Sequence, residues 1–99
     1  MSVYDSGRII ILKLAHDPDF SVRRSVASRE DMPDDLACDI MDLLSRDENW
    51  FVRFHVAKNR SIPQECAEDV LERLHGSGDV IIQAAVESNP LWAKCRGGR

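Results

Sequence analysis

Cysteine, proline, glycine and long apolar runs are all scarce in this sequence. Its 99 residues include 3 Cys, 4 Pro and 5 Gly, too few for a disulfide-rich, collagen-like or low-complexity chain. The longest aliphatic run, residues 9–12, is far too short to cross a bilayer. Met1 is not followed by a basic and hydrophobic leader, so we expect a cytoplasmic protein.

The three cysteines, Cys38, Cys66 and Cys95, form an odd set without a CxxC spacing. This pattern indicates neither a disulfide framework nor a zinc cage. We therefore expect reduced thiols and neither a metal nor another cofactor.

The composition is that of an ordinary globular domain. Apolar residues make up 43% and charged residues 30% of the chain, and the formal net charge is −4. An acidic total argues against indiscriminate attraction to nucleic acid, although a local basic face can exist within it.

The sequence matches itself when it is shifted by thirty residues. Residues 17–27 align with 47–57 at six positions, with a single change of Phe20 to Trp50. The other half of the unit follows the same shift, at Leu14, Leu44 and Leu74, at Ile10, Ile40 and Val70, at Pro33 and Pro63, and at Ala37 and Ala67. We predict one domain, residues 1–99, with repeats of about 1–30, 31–60 and 61–90 and a tail, 91–99. Leu91 and Trp92 would begin a fourth unit in that tail, which should fray at Gly97 and Gly98.

Each repeat carries two helical patterns. The first has apolar residues at i, i+3, i+4 and i+7, and predicts helices near 5–15, 33–45 and 63–75. Asp31 and Ser61 are expected to cap two of them, with Pro33 and Pro63 in the first turn. Residues 8–14 are β-branched enough for a strand on propensity alone, but the repeat register favours a helix.

The second pattern predicts shorter helices near 20–28, 50–58 and 80–88. Asp19, Asn49 and Asp79 precede them in identical register as N-caps. Each short helix offers one narrow apolar stripe and is unstable alone. Neighbouring units must cover that stripe, and about three units are the practical minimum for such stacking.

The pattern of Asp, Val-Arg, Val-Ala and Pro at fixed offsets over residues 10–90 resembles bacterial HEAT-like repeats. It is most similar to the leucine-rich repeat variant branch. The resemblance implies an all-α, right-handed α-solenoid that acts as a scaffold for protein contacts. It also implies a hydrogen-bonded ladder between repeats, formed here by Asp17, Arg23, Asp47 and Arg53.

Two departures limit the resemblance. A founding example of the variant branch joins its repeats to an iron–sulfur cluster held by clustered cysteines, and this chain has no such cysteine run. In the third unit Ser77 replaces the Asp and Gln83 replaces the Arg. The ladder should therefore end at the second repeat.

Charge is segregated between the two helix types. Segments 20–30 and 50–60 contain six cations against one acid, whereas 31–48 contains seven acids against Arg46. We predict that the second helices present a basic and aromatic strip that binds a partner, formed by Arg24, Trp50, Phe51, Phe54 and Lys58. Trp50 has two equally expected positions, exposed on this strip or buried between units. Burial is considered because its counterpart Phe20 has the pattern of a packing residue.

Two functions follow from this strip. The first is a protein-interaction module that uses residues 20–28, 50–58 and 80–88. The alternative is a module that binds the nucleic-acid backbone through Arg23, Arg24, Arg29, Arg53, Lys58 and Arg60. Neither excludes a dimer formed through the ends of the solenoid.

Little in the sequence supports an enzyme. It shows no nucleophile–base order, no metal-binding His motif and no phosphate-cradling glycine loop. His16 and His75 fall at helix ends, where a cation offsets the helix dipole, so capping is favoured over metal ligation. His55 is expected to be more exposed.

Overall fold

A computed structural model describes residues 3–97, and the side chains of residues 7–96. The regular secondary structure of this part of the chain consists of seven α-helices joined by short loops, with no strand. The helices are α1 Val3–Ala15, α2 Phe20–Ala27, α3 Asp34–Leu44, α4 Trp50–Lys58, α5 Gln64–His75, α6 Val80–Ser88 and α7 Pro90–Gly97. The all-α fold class is confirmed, and the strand considered for residues 8–14 is a helix.

The helices form two layers. The odd-numbered helices contact one another in chain order, α1 to α3 to α5 to α7, and the even-numbered helices do the same, α2 to α4 to α6. Among the described helices, none contacts another that is more than two places away in the chain. The resulting slab measures 44 × 28 × 15 Å.

The even-numbered helices begin where the N-cap residues predict. The side chain of Asp19 accepts from the N–H of Ser21, and those of Asn49 and Asp79 each accept from two N–H groups of the first turn. These bonds satisfy donors that have no partner within the helix. Before Asp79, Gly78 takes a positive φ of 88°, a conformation that glycine adopts without steric cost.

The predicted starts of α3 and α5 are wrong by one position. Pro33 and Pro63 stand at the N-cap position, outside the helix, and neither start has a side-chain cap. Asp31 instead pairs with Arg29, and the hydroxyl of Ser61 donates to Glu30. A capping residue must directly precede the first helical residue, and Asp31 and Ser61 each stand two residues before that position.

The core lies between the two layers. The buried valines of the short helices, Val52, Val56 and Val86, are fully covered, as are Leu71 and Leu74 of α5. Burial of each such side chain stabilises the fold by about 1.5–3 kcal/mol. The equivalent residues of α1 are less covered, and Ile10 is 57% exposed, because no unit in the described chain packs on its outer side.

Buried asparagines connect successive repeats. The amide of Asn59 donates to the carbonyls of Ala27 and Arg29, at 2.9 and 2.8 Å. Asn89, thirty residues later, donates to the carbonyls of Ala57 and Asn59, both at 2.8 Å. Each asparagine therefore ties the end of its own even-numbered helix to the end of the preceding one.

A disulfide joins Cys38 of α3 to Cys66 of α5, with the Cα atoms 5.9 Å apart. The expectation of reduced thiols is therefore wrong for this pair, and only Cys95 is a free cysteine within the described residues. The two positions are 28 residues apart, so a search at the repeat period does not align them.

The segment predicted as a tail contains α7, which packs on α5 and α6. Leu91 and Trp92 lie against the core. Gly98, part of the expected fraying, lies outside the described residues, as does Met1. None of the described helices is long and apolar enough to cross a membrane.

Candidate interaction surface

The even-helix face, formed by α2, α4 and α6, carries an exposed apolar residue at the same register in each repeat. Phe20, Trp50 and Val80 each follow the N-cap directly and are 42%, 45% and 76% exposed. These three residues hold the same position in α2, α4 and α6, and α4 packs on both of the other helices, so the thirty-residue period repeats an exposed apolar side chain along this face. Trp50 is thus exposed, not buried between units.

The aromatic residues of α4 form a cluster on this face. The Trp50 ring lies 5.4 Å from Phe51 and 5.8 Å from Phe54, centre to centre, and the rings of Phe51 and Phe54 are stacked at 6.2 Å. Phe51 also meets Phe20 of the first repeat edge-on at 6.4 Å. These contacts hold a continuous aromatic surface across α2 and α4.

Two cations lie over this aromatic cluster. The guanidinium carbon of Arg24 is 5.5 Å from the centre of Phe51, and the Nζ of Lys58 is 5.2 Å from that of Phe54. Cation–π contacts at exposed sites contribute about 0.5–1 kcal/mol each. The structure therefore brings together all five residues predicted to bind a partner.

His55 belongs to the same cluster and is less exposed than expected. It is half-buried, its Nδ1 lies 2.9 Å from the carbonyl oxygen of Phe51, and its ring packs on Phe51 at 4.7 Å. His16 is exposed directly after α1. His75 stacks on Trp92 and pairs with Glu87. Within the described chain, the acidic, cysteine and histidine side chains form no group that could hold a metal.

Of the residues of the implied ladder, Asp17 and Asp47 precede α2 and α4, and Arg23 and Arg53 lie within those helices. Arg23 makes a two-pronged bond to the carboxylate of Asp47, at 2.8 and 3.2 Å, and also donates to the carbonyl of Asp17. Arg53 donates to the carbonyl of Asp47. In the third repeat, the hydroxyl of Ser77 donates to the carbonyl of Leu74.

The six cations considered for nucleic-acid binding divide into two groups. Arg23 bonds to Asp47 of the next repeat, and Arg53 bonds to the carbonyl of Asp47 in its own repeat. Arg29 pairs with Asp31 and holds the pKa of that carboxyl below its ordinary value. The other three form no ion pair with a carboxylate among the residues that the structure describes, and these are Arg24, Lys58 and Arg60.

A groove between α4 and α6 continues the even-helix face into the third repeat. Its volume is about 660 Å³, and it is bordered by Phe54, Lys58, Arg60, Val80, Ile81 and Ala84. Val80, Ile81 and Ala84 lie within the predicted segment 80–88 but are not among the five residues named individually as partner-binding. The signal for Val80 was available, because it occupies the register of Phe20 and Trp50.

The opposite layer carries acid. Exposed carboxylates project from α3 and α5 at Asp34, Asp35, Asp39, Asp42, Glu65, Glu68, Asp69 and Glu72. Arg8 of α1 pairs with Asp35 at 2.9 Å and lowers the pKa of that carboxyl, and Arg73 pairs with Asp42 at 3.0 Å. The odd-numbered layer is therefore acidic at α3 and α5, whereas the even-helix face is apolar with cations at its rim.

No protein-family model, curated protein or solved structure matches this chain.

Proposed function

We propose that this chain is a HEAT-like, right-handed α-solenoid of three two-helix repeats that binds a partner protein through its even-helix face. The observation that carries the proposal is the row of exposed apolar residues Phe20, Trp50 and Val80. Contiguous apolar surface with a polar rim marks protein interaction sites. Aromatic residues and arginine are enriched at the energetic centres of such sites.

The layered contacts support the solenoid. Each described helix packs only on helices one or two places away in the chain, as in proteins whose repeats contact only their neighbours. The asparagine bonds recur at the thirty-residue period. The resemblance to the leucine-rich repeat variant branch agrees with both observations, and its Asp-to-Arg ladder corresponds to the Arg23–Asp47 bond.

The geometry of the even-helix face favours a protein over a nucleic acid as its binding partner. Three unpaired cations can neutralise about three phosphates, which gives log K a slope of only about −2.7 against log salt. The exposed apolar residues between those cations gain nothing from a phosphate backbone. A protein interface, in contrast, uses both kinds of side chain.

We also propose a non-enzymatic, cytoplasmic protein without a cofactor. The described part of the chain brings no nucleophile together with a base and an orienting acid in a cavity, which a catalytic site requires. The cytoplasmic location has a direct test in the Cys38–Cys66 pair. Disulfides persist mainly outside the cytosol, so a cytoplasmic chain would hold this pair as two thiols in the cell and form the bond seen in the structure only after isolation. Alkylation in intact cells measures this, and an oxidised pair would contradict the location.

The binding face is tested by a matched pair of substitutions. Ile81 on α6 and Ile10 on α1 are the same residue type and are both 57% exposed. Proteins captured from host-cell lysate by the full chain, after nuclease treatment, should be retained by Ile10→Asp. Ile81→Asp should weaken their binding by about tenfold or more. Equal retention by both variants contradicts the proposed face, and circular dichroism establishes that both are folded.

A further inference from the structure

The groove between α4 and α6 exists because the third repeat has small side chains where the second has rings. Ala84 and Ala85 occupy the register of Phe54 and His55. The rings of α4 cover the equivalent surface in the second repeat, whereas the alanines of α6 leave it open. The groove has a volume of about 660 Å³, and it is open on the surface and not an enclosed cavity.

The walls of this groove offer few backbone partners for hydrogen bonding. The carbonyls of Ala57 and Asn59, at the end of α4, accept from Asn89. The first N–H groups of α6, those of Ile81 and Ile82, donate to Asp79. An extended peptide gains affinity by pairing its backbone with an open strand edge, and the described chain contains no strand.

An occupant must therefore satisfy its own backbone groups, because amides buried unpaired in an apolar groove cost several kcal/mol. A helix meets this requirement, since all its central N–H and C=O groups are bonded internally. The exposed and small side chain of Ala84 allows such a helix to approach α6 closely. Val80 and Ile81, both exposed, stand beside it and supply apolar contact area.

The charges at the rim of the groove indicate which kind of helix can bind there. Lys58 and Arg60 border the groove, and neither pairs with a carboxylate in the described residues. The exposed carboxylates of α3 and α5 lie on the opposite layer, and Glu87, the exposed carboxylate of α6, pairs with His75 of α5. Cations at a rim favour a partner of opposite sign and disfavour a basic one.

We propose that this groove receives one amphipathic α-helix of a partner protein, with its apolar stripe on Phe54, Ile81 and Ala84 and with acidic side chains facing Lys58 and Arg60. This inference rests on the proposed protein-binding function and names the chemistry of the partner. Binding by a helix in a groove uses apolar anchors at i, i+3 or i+4, and i+7. The acidic residues flank that stripe on the side of the two cations.

The test uses the full chain as bait for a displayed library of random peptides of about 16 residues, long enough to form a helix. Enriched sequences should place apolar residues at helical spacing and carry more Asp and Glu than the starting library. The best of them, synthesised and labelled, should lose affinity by about tenfold or more on Ile81→Asp and on the double variant Lys58→Glu with Arg60→Glu. Its affinity for Ile10→Asp should equal that for the wild type.

The inference is overturned by enriched peptides that are basic or that lack helical periodicity, or by equal enrichment on wild-type and Ile81→Asp baits. It is also overturned if random single-stranded oligonucleotides bind in a manner that depends on Lys58 and Arg60 but not on Ile81. If lysate capture depends on Ile81 but the library yields no acidic helix, the protein-binding function is supported and the helical partner is refuted. If neither lysate capture nor peptide binding depends on Ile81, both proposals are refuted.

Discussion

Arg23 and Arg24 are neighbours in α2 with different surroundings. Arg23 is mostly buried and binds Asp47, whose side chain is only 8% exposed, whereas Arg24 lies over the Phe51 ring. Loss of one partner of a buried ion pair leaves the other charge desolvated and unpaired. The two arginines therefore separate a structural role from a surface role at adjacent positions.

We expect Arg23→Met to lower the free energy of unfolding by about 3 kcal/mol, because the mostly buried Asp47 carboxylate loses its only cationic partner in the described residues and keeps the N–H of Asn49. Arg24→Met keeps the apolar stem and loses one exposed cation–π contact, so it should cost about 0.5–1 kcal/mol. Urea unfolding followed by circular dichroism measures both. Equal losses for the two variants would show that the Arg23–Asp47 bond does not hold the repeats together.

Asp19 makes the stability of α2 dependent on pH. Its carboxylate accepts from the hydroxyl and the N–H of Ser21, and these bonds lower the pKa of Asp19 from its ordinary value of 3.8. A lowered folded-state pKa stabilises the folded chain above about pH 4, and this contribution is lost as the pH falls through the folded-state pKa. Asparagine caps a helix equally well and does not titrate.

Asp19→Asn should therefore match the wild type at neutral pH and lose less of its melting temperature below about pH 4. Ser21→Ala removes the hydroxyl donor and should also reduce the fall of the melting temperature at acid pH. Ser25→Ala, in the same helix, should leave that fall unchanged. Thermal unfolding across a pH series measures the slopes. Identical acid slopes for wild type and Asp19→Asn would contradict this role.

At the scale of the element, the even-numbered helices were predictable because their caps are local. Asp19, Asn49 and Asp79 bond to N–H groups two or three residues away, so residue type and spacing suffice. The odd-numbered helices were harder. Proline suits both the first turn and the position before it, and only the extended ψ of Pro33, 148°, places it outside the helix.

The role of Asn59 and Asn89 was not predictable from one repeat. An asparagine after a helix looks like an ordinary C-cap, and the carbonyls that it bonds lie thirty residues back. The repeat alignment contained one indication that this asparagine bonds to the preceding repeat. The equivalent residue of the first repeat is Arg29, and no earlier repeat in the described chain offers it carbonyls to bond.

The same chemical change at two asparagines should have very different effects. Asn49→Asp replaces one good N-cap with another and should change the free energy of unfolding by less than about 0.5 kcal/mol. Asn59→Asp removes both donors from a side chain that is 4% exposed and turns a carboxylate toward the carbonyls of Ala27 and Arg29. We expect a loss of about 3 kcal/mol or more. Urea unfolding compares them, and similar effects would refute the asparagine connection.

At the scale of the molecule, the sequence predicts the separation of charge but not the groove. From α2 to α5, basic and acidic helices alternate along the sequence, so a two-layer packing separates them. The groove depends on the space between α4 and α6, which a pattern along one helix does not contain. The sign of the groove in the sequence is that Ala84 stands where the repeat alignment places Phe54 in the second repeat.

The Cys38–Cys66 disulfide links α3 to α5 and thereby fixes two successive repeats in the odd-numbered layer. Its two cysteines are 28 residues apart, and closing a loop of that length restricts the unfolded chain and stabilises the fold by about 3.6 kcal/mol on loop-entropy grounds. Because stacked units depend on their neighbours, the loss should affect the whole chain.

We expect the oxidised chain to unfold at higher urea than the reduced chain, and the double variant Cys38→Ser with Cys66→Ser to match the reduced chain regardless of reductant. Cys95→Ser, the control, should keep the difference. Thiol titration of the unfolded chain should find one thiol before reduction and three after. In the folded chain Cys95 should react slowly, because burial, together with Glu68 and Glu72, raises the pKa of its thiol. Equal midpoints for oxidised and reduced wild type would show that the link between α3 and α5 contributes nothing to stability.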